Sequence, residues 1–126
     1  MRGCGENCKK NQCSVAGGFV KKIEIVCPTL KLEDLKKTIY TFDIGGFLVT
    51  NITGVGFMRG AEKERSVKYV EMPKIKVEFV IKDEDVEKST KAIVEVLQTG
   101  KIGDGKIFVY PTDNAVRIRT GEEKAV

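Results

Sequence analysis

Residues 75–81 read Ile75-Lys76-Val77-Glu78-Phe79-Val80-Ile81. Strict alternation of this kind marks a strand with one buried face. Ile75, Val77, Phe79 and Ile81 point one way; Lys76, Glu78 and Val80 point the other. The same pattern stands earlier in Lys22-Ile23-Glu24-Ile25-Val26, where Cys27 keeps the phase of Ile23 and Ile25 and is read as a small core residue. A helical spacing follows each strand. Leu32, Leu35, Ile39 and Phe42 supply it in the first half; Val86, Ile93, Val94 and Leu97 supply it in the second, behind Asp83 as N-cap. A strand then closes each half, Phe47–Thr53 after Gly45-Gly46 and Ile107–Tyr110 after a glycine turn. Residues 115–119 read as a last extended piece. Two strand–helix–strand units predict an α+β, ferredoxin-like βαββαβ sandwich: a four-stranded antiparallel sheet with two helices on one face. The other face stays uncovered, which predicts packing against further copies of the chain.

Outward from this frame, the densest chemistry lies at Thr99-Gly100-Lys101-Ile102-Gly103-Asp104-Gly105-Lys106. A turn with three glycines can present several backbone N–H groups to one anion, because glycine accepts positive φ and lets a ligand come close. Lys106 adds a point charge. Arg117 and Arg119 stand two apart, so on a strand they share a face, and their planar forks suit phosphate oxygens. Together these residues predict a site for a nucleotide phosphate. Alone, the turn could be a tight connection, and Asp104 could simply cap it.

Residues 54–72 join the second and third strands. The stretch is long for a hairpin, glycine-rich at its start and charged in its middle; long loops of this kind are usually functional or disordered. Residues 1–18 stand apart as a flexible extension that carries Cys4, Cys8 and Cys13, leaving 19–126 as the folded domain. Three thiolates in C-x3-C-x4-C suit Zn²⁺, Cu⁺ or an iron–sulfur cluster, or a thiol/disulfide switch; a tail without a role is the bland alternative.

Composition narrows the classes. A net charge of +4, with both signs mixed along the chain, lacks the single-sign patch of a nucleic-acid binder. No apolar run approaches a membrane span, and the first residues lack the apolar core of a signal peptide, so a cytoplasmic protein is expected. The sequence contains no His, which removes the commonest general base and metal ligand. No catalytic residue is assigned and a non-enzyme is expected.

Several blocks resemble the PII-type nitrogen-regulatory signalling proteins over about Lys21 to Ala125. They are Lys22-Ile23-Glu24, Lys31-Leu32-Glu33-Asp34-Leu35, Val49–Gly56, Pro73–Glu78, Thr99–Val109 and Arg117–Glu122. The resemblance implies a homotrimer that binds ATP or ADP in the clefts between subunits. A projecting T-loop, here about 54–72, would dock onto a regulated transporter or metabolic enzyme, so any membrane association would be peripheral. Gly103, Asp104, Gly105 and Lys106 would form the B-loop (about 99–106) around the phosphates. Arg117 and Arg119 would reach those phosphates from the neighbouring subunit. Gly54 and Gly56 would let the loop base approach the nucleotide. Glu78 and Val80 would lie by adenine and ribose, Val26 would add apolar contact, and Leu48 stands where the family often has Thr.

Two departures accompany the resemblance. Oxoglutarate-sensing members carry a Gln after the Gly-x-Gly of the loop base; Phe57 and Met58 stand there instead and offer Mg²⁺ no hard oxygen ligand. Lys74, matching the effector-contacting lysine, is retained. The modification motif survives only as Met58-Arg59-Gly60-Ala61-Glu62-Lys63, without its tyrosines, so no uridylylation is expected. Two alternatives remain beside the regulator: a metal-binding module with a vestigial nucleotide pocket, and a slow ATPase.

Overall fold

The computed structural model describes residues 3–4, 6–7, 19–59 and 67–126. Its main sheet has four antiparallel strands: β1 (Val20–Pro28), β2 (Leu48–Arg59), β3 (Val67–Lys82) and β4 (Lys106–Pro111), in the order β2-β3-β1-β4. Helices α1 (Leu32–Ile39) and α2 (Val86–Leu97) follow β1 and β3. This is the ferredoxin-like plan that the two strand–helix–strand units predict.

The phase of each strand decides its faces. Ile23, Ile25, Cys27, Ile75, Val77 and Ile81 are fully buried, and they pack with Leu35 and Ile39 of α1 and Ile93 and Leu97 of α2. Truncating any of these isoleucines to Ala would cost about 2–5 kcal/mol, the transfer and cavity terms together. Burial also pushes the Cys27 thiol up, against the smaller opposing pull of Lys74 and Lys31, so it is an inert core group. α1 carries Glu33 and Asp34 in its first turn and Lys36 and Lys37 in its last, matching the helix dipole.

Three sequence expectations change. Asp83 does not cap α2: it opens a 3₁₀ turn over Asp83–Asp85, Asp85 takes the cap position without a side-chain bond, and Asp83 instead pairs with Lys21 at 3.0 Å. Val94 is 43 % exposed, because Ser89, Ile93 and Leu97 make the buried stripe of α2 and Val94 stands about 100° round the helix from Ile93. The segment 54–72 is not an open loop at its two ends. The β2–β3 ladder continues from Leu48↔Glu78 through Gly54↔Met72 to Arg59↔Val67, well past Pro28↔Lys74, where β1 stops. Backbone pairing does not need apolar alternation, so the glycines and charges hid it.

The expected extension lies almost wholly outside the described residues. Cys8, Cys13 and the motif residues Gly60–Lys63 are outside them; Cys4 ends a two-residue strand, Gly3–Cys4, paired with Glu6–Asn7.

Candidate functional site

The uncovered sheet face carries the charges. Glu78, its side chain 19 % exposed, stands between Lys22 and Lys76, each at 3.4 Å. Partial burial pushes the Glu78 carboxyl up, but the bonds from Lys76 and Lys22 outweigh it and hold the group below its ordinary value. Tyr110 donates its hydroxyl to Glu24 at 3.3 Å, and Lys22 lies over the Tyr110 ring at 5.7 Å.

At one end of this face stands the glycine turn. The Asp104 carboxylate accepts from Thr99 N at 2.8 Å, from Gly100 N at 3.0 Å and from the Thr99 hydroxyl. These bonds, those of Thr99 first, hold it below its ordinary value. Asp104 therefore organises the turn from inside, as a cap. Gly105 has φ +113°, and a Cβ there would lie 1.9 Å from the Val26 carbonyl oxygen; no other residue fits. Gly103, at φ +106°, meets open space, leaving that stretch of backbone free to face a ligand. Lys74 donates to the Gly103 carbonyl at 2.8 Å, and its side chain fills the space beside Gly54, where a Cβ would come within 2.9 Å. The turn and the base of the β2–β3 ribbon are thus joined through one lysine. A Cβ at Gly56 would meet no atom within 4 Å.

At the other end is a cavity of about 1030 Å³, lined among others by Lys22, Leu48, Glu78, Val80, Arg117 and Arg119. The arginines reach it by an unexpected route. Residues 115–119 are not a strand: the chain turns at 118–120, with Gly121 N donating to Arg117 O at 2.7 Å and Arg117 N to Glu122 O at 2.8 Å. Gly121, at φ +74°, makes that turn, which the strand reading of Arg117 and Arg119 overlooked.

The sequence-predicted residues therefore separate into two groups. Val26, Gly54, Gly56, Lys74 and Gly103–Lys106 stand at the end where Val26 pairs Lys106; the cavity group stands at the end where Lys22 pairs Tyr110. Lys22 and Val26 stand four residue steps apart on β1, about 13 Å at the usual strand rise. Sequence reasoning missed Lys22 and Glu122; the alternation that placed Glu78 on the open face could have placed Lys22 beside it. Among the described residues no cluster of three or more His, Cys, Asp or Glu could hold a metal, and no helix is long and apolar enough to cross a membrane.

The sequence profile of the family described as "Nitrogen regulatory protein P-II" matches residues 20–122, taking in both groups. The chain belongs to that family. It is 45 % identical over 107 residues to the nitrogen regulatory protein P-II of Haemophilus influenzae, covering 82 % of this chain and 96 % of that protein. Among solved structures it resembles the Bacillus subtilis GlnK–ATP complex, with TM-score 0.73 and 32 % identity over 87 % of this chain and 95 % of the other. It also resembles Arabidopsis thaliana PII bound to citrate, with TM-score 0.66 and 33 % identity, covering 84 % of this chain and 89 % of the other. P-II proteins are signalling proteins rather than enzymes in general; they form homotrimers and regulate partners such as transporters and enzymes.

Proposed function

We propose that this P-II protein is a homotrimeric, cytoplasmic sensor of adenine nucleotide that controls a partner protein through its β2–β3 ribbon. The observation that carries the reading is the separation of the two residue groups. Neither end of one subunit makes a whole nucleotide site. The glycine turn offers backbone donors and Lys106 but little to hold a base. The cavity offers apolar walls at Leu48 and Val80, the polar Glu78, and two guanidinium groups. Rotation about a threefold axis sets the turn of one subunit against the cavity of the next, and the nucleotide closes the seam. The ATP complex of the B. subtilis relative supports a nucleotide in this fold.

Occupancy then has a route to the ribbon. A phosphate on Gly103–Lys106 draws the Lys74 ammonium away from the Gly103 carbonyl. Lys74, which binds Gly103 and packs against Gly54, carries the change to the ribbon base. A ligand biases this equilibrium only by its difference in affinity for the two ribbon states, so ATP and ADP must differ in how they contact the turn. The three N-terminal cysteines add a metal or redox input to the same protein.

Calorimetric titration of the reduced, metal-free protein with ATP, ADP and AMP, with and without 2-oxoglutarate, tests the reading, alongside sedimentation. Micromolar binding of ATP or ADP by a trimer, unchanged by oxoglutarate, is expected. A chain that sediments as a monomer and gives no heat with any nucleotide would refute it.

A further inference from the structure

Arg117 and Arg119 are alike in sequence and unlike in structure. The Arg117 guanidinium donates one N–H to the Glu122 carboxylate and another, at 2.7 Å, to the Val126 carbonyl oxygen. Gly45 makes room for this arrangement: a Cβ there would stand 2.9 Å from the Val126 oxygen and 3.7 Å from the Arg117 Nη2. The two limbs of the 117–122 turn are bonded to each other through Arg117 and Glu122 backbone groups. Beyond them Ala125, buried, donates to Ala115 at 2.9 Å and ties the segment down. Arg119, by contrast, makes no hydrogen bond or ion pair among the described residues.

The geometry points to Glu122 as a positioning residue that holds the Arg117 fork ready for an oxyanion at the cavity rim, while Arg119 acts as an unrestrained charge. This rests on the nucleotide reading above. A guanidinium has five N–H donors; two are taken here and three remain for phosphate oxygens, so a ligand need not displace Glu122. Glu122 does lower the local positive potential. That loss is small, because the side chains of Arg117 and Glu122 are 34 % and 55 % exposed and water screens the pair. The gain is larger: an arginine already fixed on its cavity-lining side gives up little rotamer freedom when the phosphate arrives. The two effects oppose each other, and ordering prevails.

Titration of the full chain with ATP and with adenosine, which lacks phosphate, tests this in Glu122→Ala, Glu122→Gln, Arg117→Lys, Arg119→Lys and the Glu122→Ala/Arg117→Lys double variant. Glu122→Ala is expected to weaken ATP roughly three- to tenfold, the range for one side chain that must be ordered on binding. Adenosine affinity should not change. Glu122→Gln, whose amide oxygen still accepts, should keep most of the ATP affinity. The double variant should lose no more than Arg117→Lys alone, and Arg119→Lys should lose less than Arg117→Lys, since only Arg117 needs its fork. The inference is overturned by unchanged or tighter ATP binding in Glu122→Ala, by a parallel loss of ATP and adenosine, or by additive losses in the double variant. Failure of the unsubstituted chain to bind ATP overturns the nucleotide reading and this inference with it.

Discussion

The two ends of the open sheet face are built by different means. At the Gly103–Lys106 end the preparation is backbone: glycines at positive φ, a carboxylate drawing the turn's N–H groups inward, and a carbonyl against which no Cβ fits. At the Lys22 end it is side chains: Glu78 between two lysines, and an arginine held by its own turn. Backbone preparation is rigid and fails abruptly when one glycine is changed. Side-chain preparation is graded and yields by small steps, with a strength that follows ionic strength.

The sharpest way to break the contrast is Gly105→Ala. Its Cβ has no space beside Val26 and its φ is forbidden, so a loss of roughly 2–4 kcal/mol in stability is expected in urea unfolding, with ATP binding abolished in calorimetry. Gly103→Ala, strained but unobstructed, should lose about 1–2 kcal/mol, the backbone term alone. An Ala at 105 as mild as one at 103 would remove the claim of rigidity.

Asp104→Asn comes next. The folded state holds the Asp104 carboxyl below its ordinary 3.8, so its contribution is complete above that value and disappears as pH falls through the lower folded value. Unfolding curves of the parent and Asp104→Asn should therefore differ at neutral pH and converge in acid. Lys74→Met, which loses the bond to Gly103, should weaken ATP by about tenfold or less, the worth of one charged hydrogen bond at an exposed site. The smallest effect belongs to the side-chain end. Glu78→Gln should cost about 1 kcal/mol or less, in keeping with a partly exposed ion pair, and the difference should shrink in high salt. A large, salt-independent loss would show that this end is as rigid as the other.

Legibility in the sequence followed the same division. Period-two alternation in 22–26 and 75–81 gave the faces of the sheet, because burial on one side forces it, and the glycines of 100–105 announced the turn. The side-chain end was half visible. Glu78, Val80 and Leu48 could be named, but only the ladder registers that set Leu48 opposite Glu78, and Glu78 opposite Glu24, show that they share a wall. Spacing of two is the strand signal, so Arg117 and Arg119 read as a strand in sequence; the turn through Gly121 depends on bonds to residues further along the chain. Asp104 offered both of its readings in sequence, and only its bonds to Thr99 and Gly100 choose the cap.

The unequal strand lengths carry a mechanical consequence. β1 ends opposite Lys74, whereas β3 starts at Val67, so seven residues of two-stranded ribbon stand clear of the sheet. At the usual rise this is an arm of about 23 Å, so a swing of roughly 10° at its hinge displaces the far end by about 4 Å. A shift too slight to disturb the core beneath Lys74 approaches, at that distance, the spacing of about 4.8 Å between neighbouring strands.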